Sequence, residues 1–164
     1  MEQDYGLAKN LALKYLSADN YDKAIPLFKE AVELAKTPSE KSEMLIYLGS
    51  IEAKRGTKSG AREIFRQAAA ADPSNKEPYE KIGDLYMNSV ADCSKQKSLA
   101  EDRLVYIAAY DMYLRAGNNA KMAQAKSQFP STTEIFEQDW KEGDSKRIDC
   151  WVGETVSLKT RGKD

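Results

Sequence analysis

Histidine is absent from all 164 residues. That excludes Ser-His and Cys-His nucleophile pairs, zinc held through imidazole, and the usual general base near neutral pH. Lysine, carboxylates and tyrosine can support catalysis without it, so enzymatic activity is disfavoured on this ground, and no enzyme is expected. Cysteine is scarce, with two residues; two thiolates without histidine leave a tetrahedral metal site incomplete. No metal or cofactor is expected. No charge of one sign dominates: 25 Lys and Arg stand against 26 Asp and Glu, for a net charge of -1 without a like-charge run. Nucleic acid is therefore not an expected partner. No apolar stretch approaches the roughly 20 residues needed to cross a bilayer. The start, Met1 to Asp4, is acidic and lacks the basic and then apolar regions of a secretion signal; on an exported chain the signal would lie upstream. Arg55 to Gly60 holds Gly, Lys and Ser, though not in the order of a phosphate-cradling loop, and its position suits a turn between helices.

What the chain does contain is one short pattern written three times. The first copy reads Ala8, Leu11, Ala12, Tyr15, then Ala24, Phe28, Ala31. The second reads Leu45, Leu48, Gly49, then Ala61, Phe65, Ala68 and Pro73; the third reads Tyr79, Ile82, Gly83, Tyr86, then Ala109, Tyr113, Ala116. Gly49 and Gly83 are 34 residues apart, and Ala24 and Ala61 are 37 apart. The unit is thus 34 residues with a few inserted after the first copy, long enough for two helices. Spacings of three and four hold each set on one helical face. Small residues make holes in helix A, and the aromatic of helix B fills one. A single pair cannot bury such a face, so the pairs must stack into a solenoid. With 41% hydrophobic and 31% charged residues, the chain has the balance of a folded protein with one elongated core.

This phase resembles the tetratricopeptide repeat (TPR) at about seven positions per copy, from roughly Tyr5 to Gly117. Glu52 stands where the family usually has an aromatic, and the first copy's closing proline falls late, at Pro38. The resemblance implies a fold of antiparallel helix pairs and a non-catalytic scaffold whose groove, lined by the A helices, takes a protein or peptide partner. Carried over by phase, the groove positions are Lys9, Leu13, Leu16 and Ser17, then Ile46, Tyr47, Ser50 and Lys54, then Glu80, Lys81, Asp84, Met87 and Asn88. Some members clamp a partner's terminal carboxylate with Lys, Asn and Arg; here Leu13, Tyr47 and Glu77 replace several of those residues. A mixed apolar and polar groove for a helix or extended peptide is expected instead. Glu77, Glu80 and Asp84 share one face, as a solvated surface, as a contact for a basic peptide, or as a partial cation site with too few oxygens for calcium.

The expected organisation is an array over 1–128 and a tail over 129–164. The repeats fall near 5–38, 42–75 and 76–117, followed by a capping helix over 120–128. On helix 1, Leu7, Leu11, Tyr15 and Ala18 form the expected inner stripe, and Leu13 and Leu16 widen it beyond what one neighbour covers. The chain is therefore expected either to continue a longer array or to self-associate through this helix. The third copy carries 14 extra residues near 88–101; Ser89 to Ser98 reads as a loop and Leu99 to Ile107 as a backward extension of helix B. In the tail, Ser131 or Thr132 caps a short helix running to Trp140. Lys146 to Trp151 and Thr155 to Thr160 alternate as a β-hairpin that turns at Gly153 and must pack on the helices.

The tail segments Phe129-Pro130-Ser131, Lys141 to Asp144 and Cys150 to Thr155 look like the closing part of Bacteroidetes-type TPR proteins. That resemblance implies export to the periplasm or cell envelope. In such a context Cys93 and Cys150 invite a disulfide; two free buried thiols are the alternative. Trp140 and Trp151 are expected to pin the tail to the core, with exposed anchoring of a partner as the other reading. The rival functions are an accessory region of a larger enzyme and a self-assembly module.

Overall fold

A computed structural model describes residues 4–163; Met1 to Gln3 of the acidic start and Asp164 of the tail lie outside the described residues. The chain is mostly helical, with one short antiparallel two-stranded sheet near its end, the fold class expected from the repeat phase. It divides into two compact units, one ending at Pro78 and the other beginning at Tyr79.

The first unit holds α1 (Tyr5–Ser17), α2 (Tyr21–Leu34), α3 (Pro38–Arg55) and α4 (Lys58–Ala71). Each starts where the sequence supplies a short polar side chain to a free N–H. Asp4, Asn20, Thr37 and Thr57 accept from the backbone of Leu7, Lys23, Glu40 and Gly60. Glu40 completes a capping box with Thr37, and Pro38 occupies the first turn of α3. Pro38 thus opens a helix; it does not close the first repeat. Gly56 and Thr57 link α3 to α4 as the expected turn, and α1 packs on α2, α2 on α3 and α3 on α4.

The buried stripe of α1 is Ala8 and Ala12, both fully buried, whereas Leu7 is 44% exposed and Ala18 is exposed. The expected stripe through Leu7 and Ala18 is therefore rotated. The methyl groups let α2 approach closely, and the larger side chains are displaced to the flanks. Ala24, Phe28 and Ala31 of α2, and Ala61, Phe65 and Ala68 of α4, are buried as the pattern requires. A Cβ on Gly49 would lie 2.5 Å from Cε1 of Phe65, so the ring fills the space that the missing side chain leaves.

The second unit takes in α5 (Glu77–Met87) from Tyr79 onward, then α6 (Val90–Cys93), α7 (Leu99–Asp102), α8 (Leu104–Ala116), α9 (Asn119–Lys126), α10 (Thr132–Glu137), β1 (Ser145–Arg147) and β2 (Thr155–Ser157). The close approach recurs here: a Cβ on Gly83 would lie 2.5 Å from Cε1 of Tyr113. Gly117, at φ 71°, ends α8 in the left-handed conformation that glycine tolerates. Asn118 caps α9, and Ser131 with Glu134 forms a capping box on α10.

The insertion differs from the expected plain loop, because α6 forms one turn within it. The backward extension of helix B breaks at Arg103 into α7 and α8. The bonds across this stretch explain its order. The Asp102 carboxylate accepts from Ser94 Oγ (2.8 Å) and Lys95 N (2.9 Å). Cys93 is bonded to Cys150 across a sequence separation of 57.

The hairpin is shorter than expected. Ser145 to Arg147 pairs with Thr155 to Ser157 in the register Ser145↔Ser157, and residues 149–152 form a turn where strand was predicted. The alternation nevertheless marked the buried face, since Ile148, Val152, Val156 and Leu158 are all buried. The turn is held inward: Trp151 Nε1 donates to Ser89 Oγ (3.1 Å), and Tyr86 OH donates to Glu154 Oε1 (3.0 Å). Trp151 also packs on the fully buried Tyr86, with ring centroids 5.7 Å apart. It pins the tail, as expected. Trp140 lies beneath Lys146, whose Nζ is 4.2 Å from the ring centroid.

Candidate functional site

Four of the groove positions carried over by repeat phase meet around one hollow of the first unit. Leu16 of α1 with Tyr47, Ser50 and Lys54 of α3 line a cavity of about 260 Å³, joined by Asp19, Tyr21 and Ile51. Spacings of three and four along α3 bring Tyr47, Ser50, Ile51 and Lys54 to one face. Tyr47 is held by stacking on Phe28, with centroids 5.1 Å apart and planes at 13°. Lys54 is exposed at the rim. Asp19 Oδ1 accepts from Tyr21 OH at 3.3 Å, and Arg55 is paired with Asp22 at 3.0 Å and lies 5.4 Å from the Tyr21 ring centroid. The hollow thus combines aromatic and apolar walls with one exposed ammonium, Lys54, and one exposed carboxylate, Asp19.

Sequence reasoning missed Asp19, Tyr21 and Ile51. Asp19 sits in the turn after α1 at φ 55°, a conformation that Asp tolerates, and Tyr21 begins α2. Neither belongs to helix A, so a groove list confined to that helix passes over both. The available signal was the polar pair Asp19-Asn20 before a helical pattern, which places a turn beside the groove.

The other first-unit positions take different roles. Lys9 is paired with Glu43 (3.1 Å) and lies 5.9 Å from the Tyr5 ring centroid. The hydrogen bond to Glu43 raises the Lys9 pKa. Burial raises that of Tyr5, whose buried hydroxyl has no hydrogen-bond partner among the described residues. Leu13 is half-buried, its carbonyl accepting from Ser17 Oγ at 2.9 Å. Ile46, 6% exposed, belongs to the packed interior.

The third-copy positions lie in the second unit, where Glu80 and Asp84 are drawn into an internal network. Lys121 of α9 pairs with Asp84 Oδ1 (2.9 Å) and Glu80 Oε1 (3.4 Å). Tyr113 OH donates to Asp84 (2.7 Å), and Asn118 donates its side-chain N–H to Glu80. Burial works against the charge of Lys121, but the hydrogen bond and charge of Asp84 and the charge of Glu80 outweigh it and leave its pKa raised. Burial, followed by the bond to Asp84, pushes the Tyr113 phenol far above its ordinary value. The acidic face foreseen around Glu77, Glu80 and Asp84 is therefore neither freely solvated nor open to a cation. Lysine occupies it, and Glu77 stays exposed. Lys81 and Met87 are half-buried, and Asn88 is exposed with its Nδ2 donating to the Asp84 carbonyl (3.0 Å).

Among the described residues no group of three or more Cys, Asp or Glu is placed to hold a metal ion, and no helix is long and apolar enough to cross a membrane. A second hollow of the first unit, about 420 Å³, has an apolar floor of Val32, Leu45, Leu48 and Ile64 and a polar rim that includes Lys29, Glu33 and Gln67. It contains none of the expected groove residues.

A family model described as the tetratricopeptide repeat matches residues 9–76, the stretch that holds the first two helix pairs and the 260 Å³ cavity. Over that stretch the chain is similar to the tetratricopeptide repeat, and such repeats are generally protein-protein interaction modules and typically non-catalytic scaffolds. No curated protein matches the chain.

Proposed function

We propose that this chain is a non-catalytic scaffold that binds a peptide or protein segment along the α1 and α3 face of its first unit. The observation that carries the reading is the convergence of Leu16, Tyr47, Ser50 and Lys54 on one cavity. At about 260 Å³ it suits one or two partner side chains and is smaller than most small-molecule sites. An apolar side chain of the partner enters between Leu16, Tyr47 and Ile51, and a carboxylate meets Lys54. Affinity capture from an envelope extract, repeated with Lys54→Glu, tests this. Loss of a captured protein with Lys54→Glu at unchanged thermal stability is expected; capture unaffected by this reversal overturns the groove.

The same reading places the protein in the periplasm or cell envelope, in line with its likeness to Bacteroidetes-type exported TPR proteins. The Cys93–Cys150 disulfide supports an oxidising compartment, where such bonds persist. Self-association through α1 is a second reading, favoured by the half-buried Leu13 and Leu16 and by Leu7, 44% exposed on another flank of the helix. Sedimentation across a concentration series decides it, a strict monomer counting against.

A further inference from the structure

Phe136 is 78% exposed, the highest value among the exposed large apolar residues of the described chain. Singly exposed leucines such as Leu99 and Leu114 are ordinary on a protein surface. Phe136 differs in its size and in its electrostatic setting. It lies on α10, whose orientation is fixed from the other side: Ile135 is buried, and Glu134 caps the helix through Ser131 while pairing with Arg103 (3.7 Å) and Arg161 (3.6 Å). The helix is therefore a rigid mount that turns Phe136 outward. After α10 the chain reverses through Asp139, at φ 56°, with Asp139 N and Trp140 N bonded back to the Phe136 and Ile135 carbonyls.

Between Thr132 and Asp144 the sequence carries five carboxylates and one lysine. Glu134 is already paired with Arg103 and Arg161. Glu137 and Asp139, on either side of Gln138, are exposed, and among the described residues neither forms an ion pair or a side-chain hydrogen bond. Aromatic anchors dominate binding hot spots, and complementary charge around them steers encounter and selects the partner.

We infer that α10 is an interaction surface for a protein that presents an apolar pocket rimmed by lysine or arginine, with Phe136 as the inserted anchor and Glu137 and Asp139 as its acidic flank. A second copy of this chain fits poorly. Its own larger apolar hollow is rimmed by Glu30 and Glu33 as well as Lys29, and would set carboxylate against carboxylate. This surface lies outside residues 9–76 and does not depend on the groove.

The test places a photoreactive phenylalanine analogue at position 136 of the full chain and irradiates it in an extract of the source cells. The expected adduct joins position 136 to a partner peptide that contains apolar residues flanked by Lys or Arg. Binding of that purified partner should fall at least tenfold with Phe136→Ala. It should also weaken with Glu137→Lys, with Asp139→Asn, which keeps a residue tolerant of the left-handed backbone, and with added salt. Thermal stability of the Phe136→Ala protein should match the parent, because little of the ring is buried. Adducts only to a second copy of this chain, no adduct, an adduct peptide without basic residues, or binding indifferent to Phe136→Ala would each overturn the inference.

Discussion

At Gly83 a single added methyl group would lie 2.5 Å from Cε1 of Tyr113, and that ring has little freedom to retreat. Tyr113 is 2% exposed and its hydroxyl is tied to Asp84 at 2.7 Å. Alanine normally improves a helix interior by about 1 kcal/mol over glycine. Overpacking a filled core costs about 1–3 kcal/mol, and at Gly83 it carries the further loss of a buried hydrogen bond. Gly83→Ala is therefore expected to destabilise the protein by about 1 kcal/mol or more, read as a lower urea midpoint at unchanged slope. A rise in the midpoint would show that the ring yields easily. The position was legible in the sequence because small residue and aromatic recur in phase, at Gly49 with Phe65 as at Gly83 with Tyr113. The Lys121 network was not, because its donor comes from the capping helix, outside the repeat. Nothing in a periodic pattern says which lysine of a following helix will reach Asp84.

The elements themselves divide in the same way. Helices α1 to α4 were readable from apolar spacing, a local signal that the sequence writes out. The hairpin was readable only as a buried face. Ile148 and Val152 alternate as in a strand, yet the disulfide and the Trp151 and Glu154 bonds to Ser89 and Tyr86 fold this stretch into a turn; these are long-range contacts that local alternation does not report. Packing of β2 on α8 carries a pH signature of its own. Asp111 of α8 is half-buried, and burial raises its pKa above the ordinary 3.8 although Lys159, 3.6 Å away, pulls it down; the charge of Glu154 raises it further. A raised carboxyl favours the folded state while protonated. That contribution is fully present below the unfolded pKa and is lost as pH rises through the folded value. Asp111→Asn removes this dependence, so its stability relative to the parent should improve as pH rises from below the ordinary carboxylate value through the raised folded one. Paired denaturation curves at several pH values measure the difference; a relative stability that falls with rising pH would mean that the Lys159 pairing outweighs burial.

For the whole molecule, the placement of its probes and its cross-link makes the two units separately observable. Both tryptophans, Trp140 and Trp151, and both cysteines lie beyond Tyr79, in the second unit, whereas α1 to α4 supply helix signal from the first. Closing a loop of this length stabilises a fold by about 4 kcal/mol in the chain-entropy description, and only the second unit contains the closed loop. Arrays of repeats lose cooperativity when one segment becomes much weaker than its neighbours. In the oxidised protein, tryptophan fluorescence and far-ultraviolet circular dichroism are expected to report nearly coincident unfolding in urea. With the disulfide reduced, or with Cys93→Ser and Cys150→Ser combined, the fluorescence midpoint should fall well below that of circular dichroism, because the tryptophans follow the weakened unit alone. The ordering of the two probes is the decisive quantity. Were both midpoints to drop together by the same amount, the chain would be one cooperative body and the disulfide would stabilise all of it. Were neither to move, the stabilisation of the tail would rest on Trp151, Tyr86 and the buried face of the hairpin, with the covalent bond contributing little.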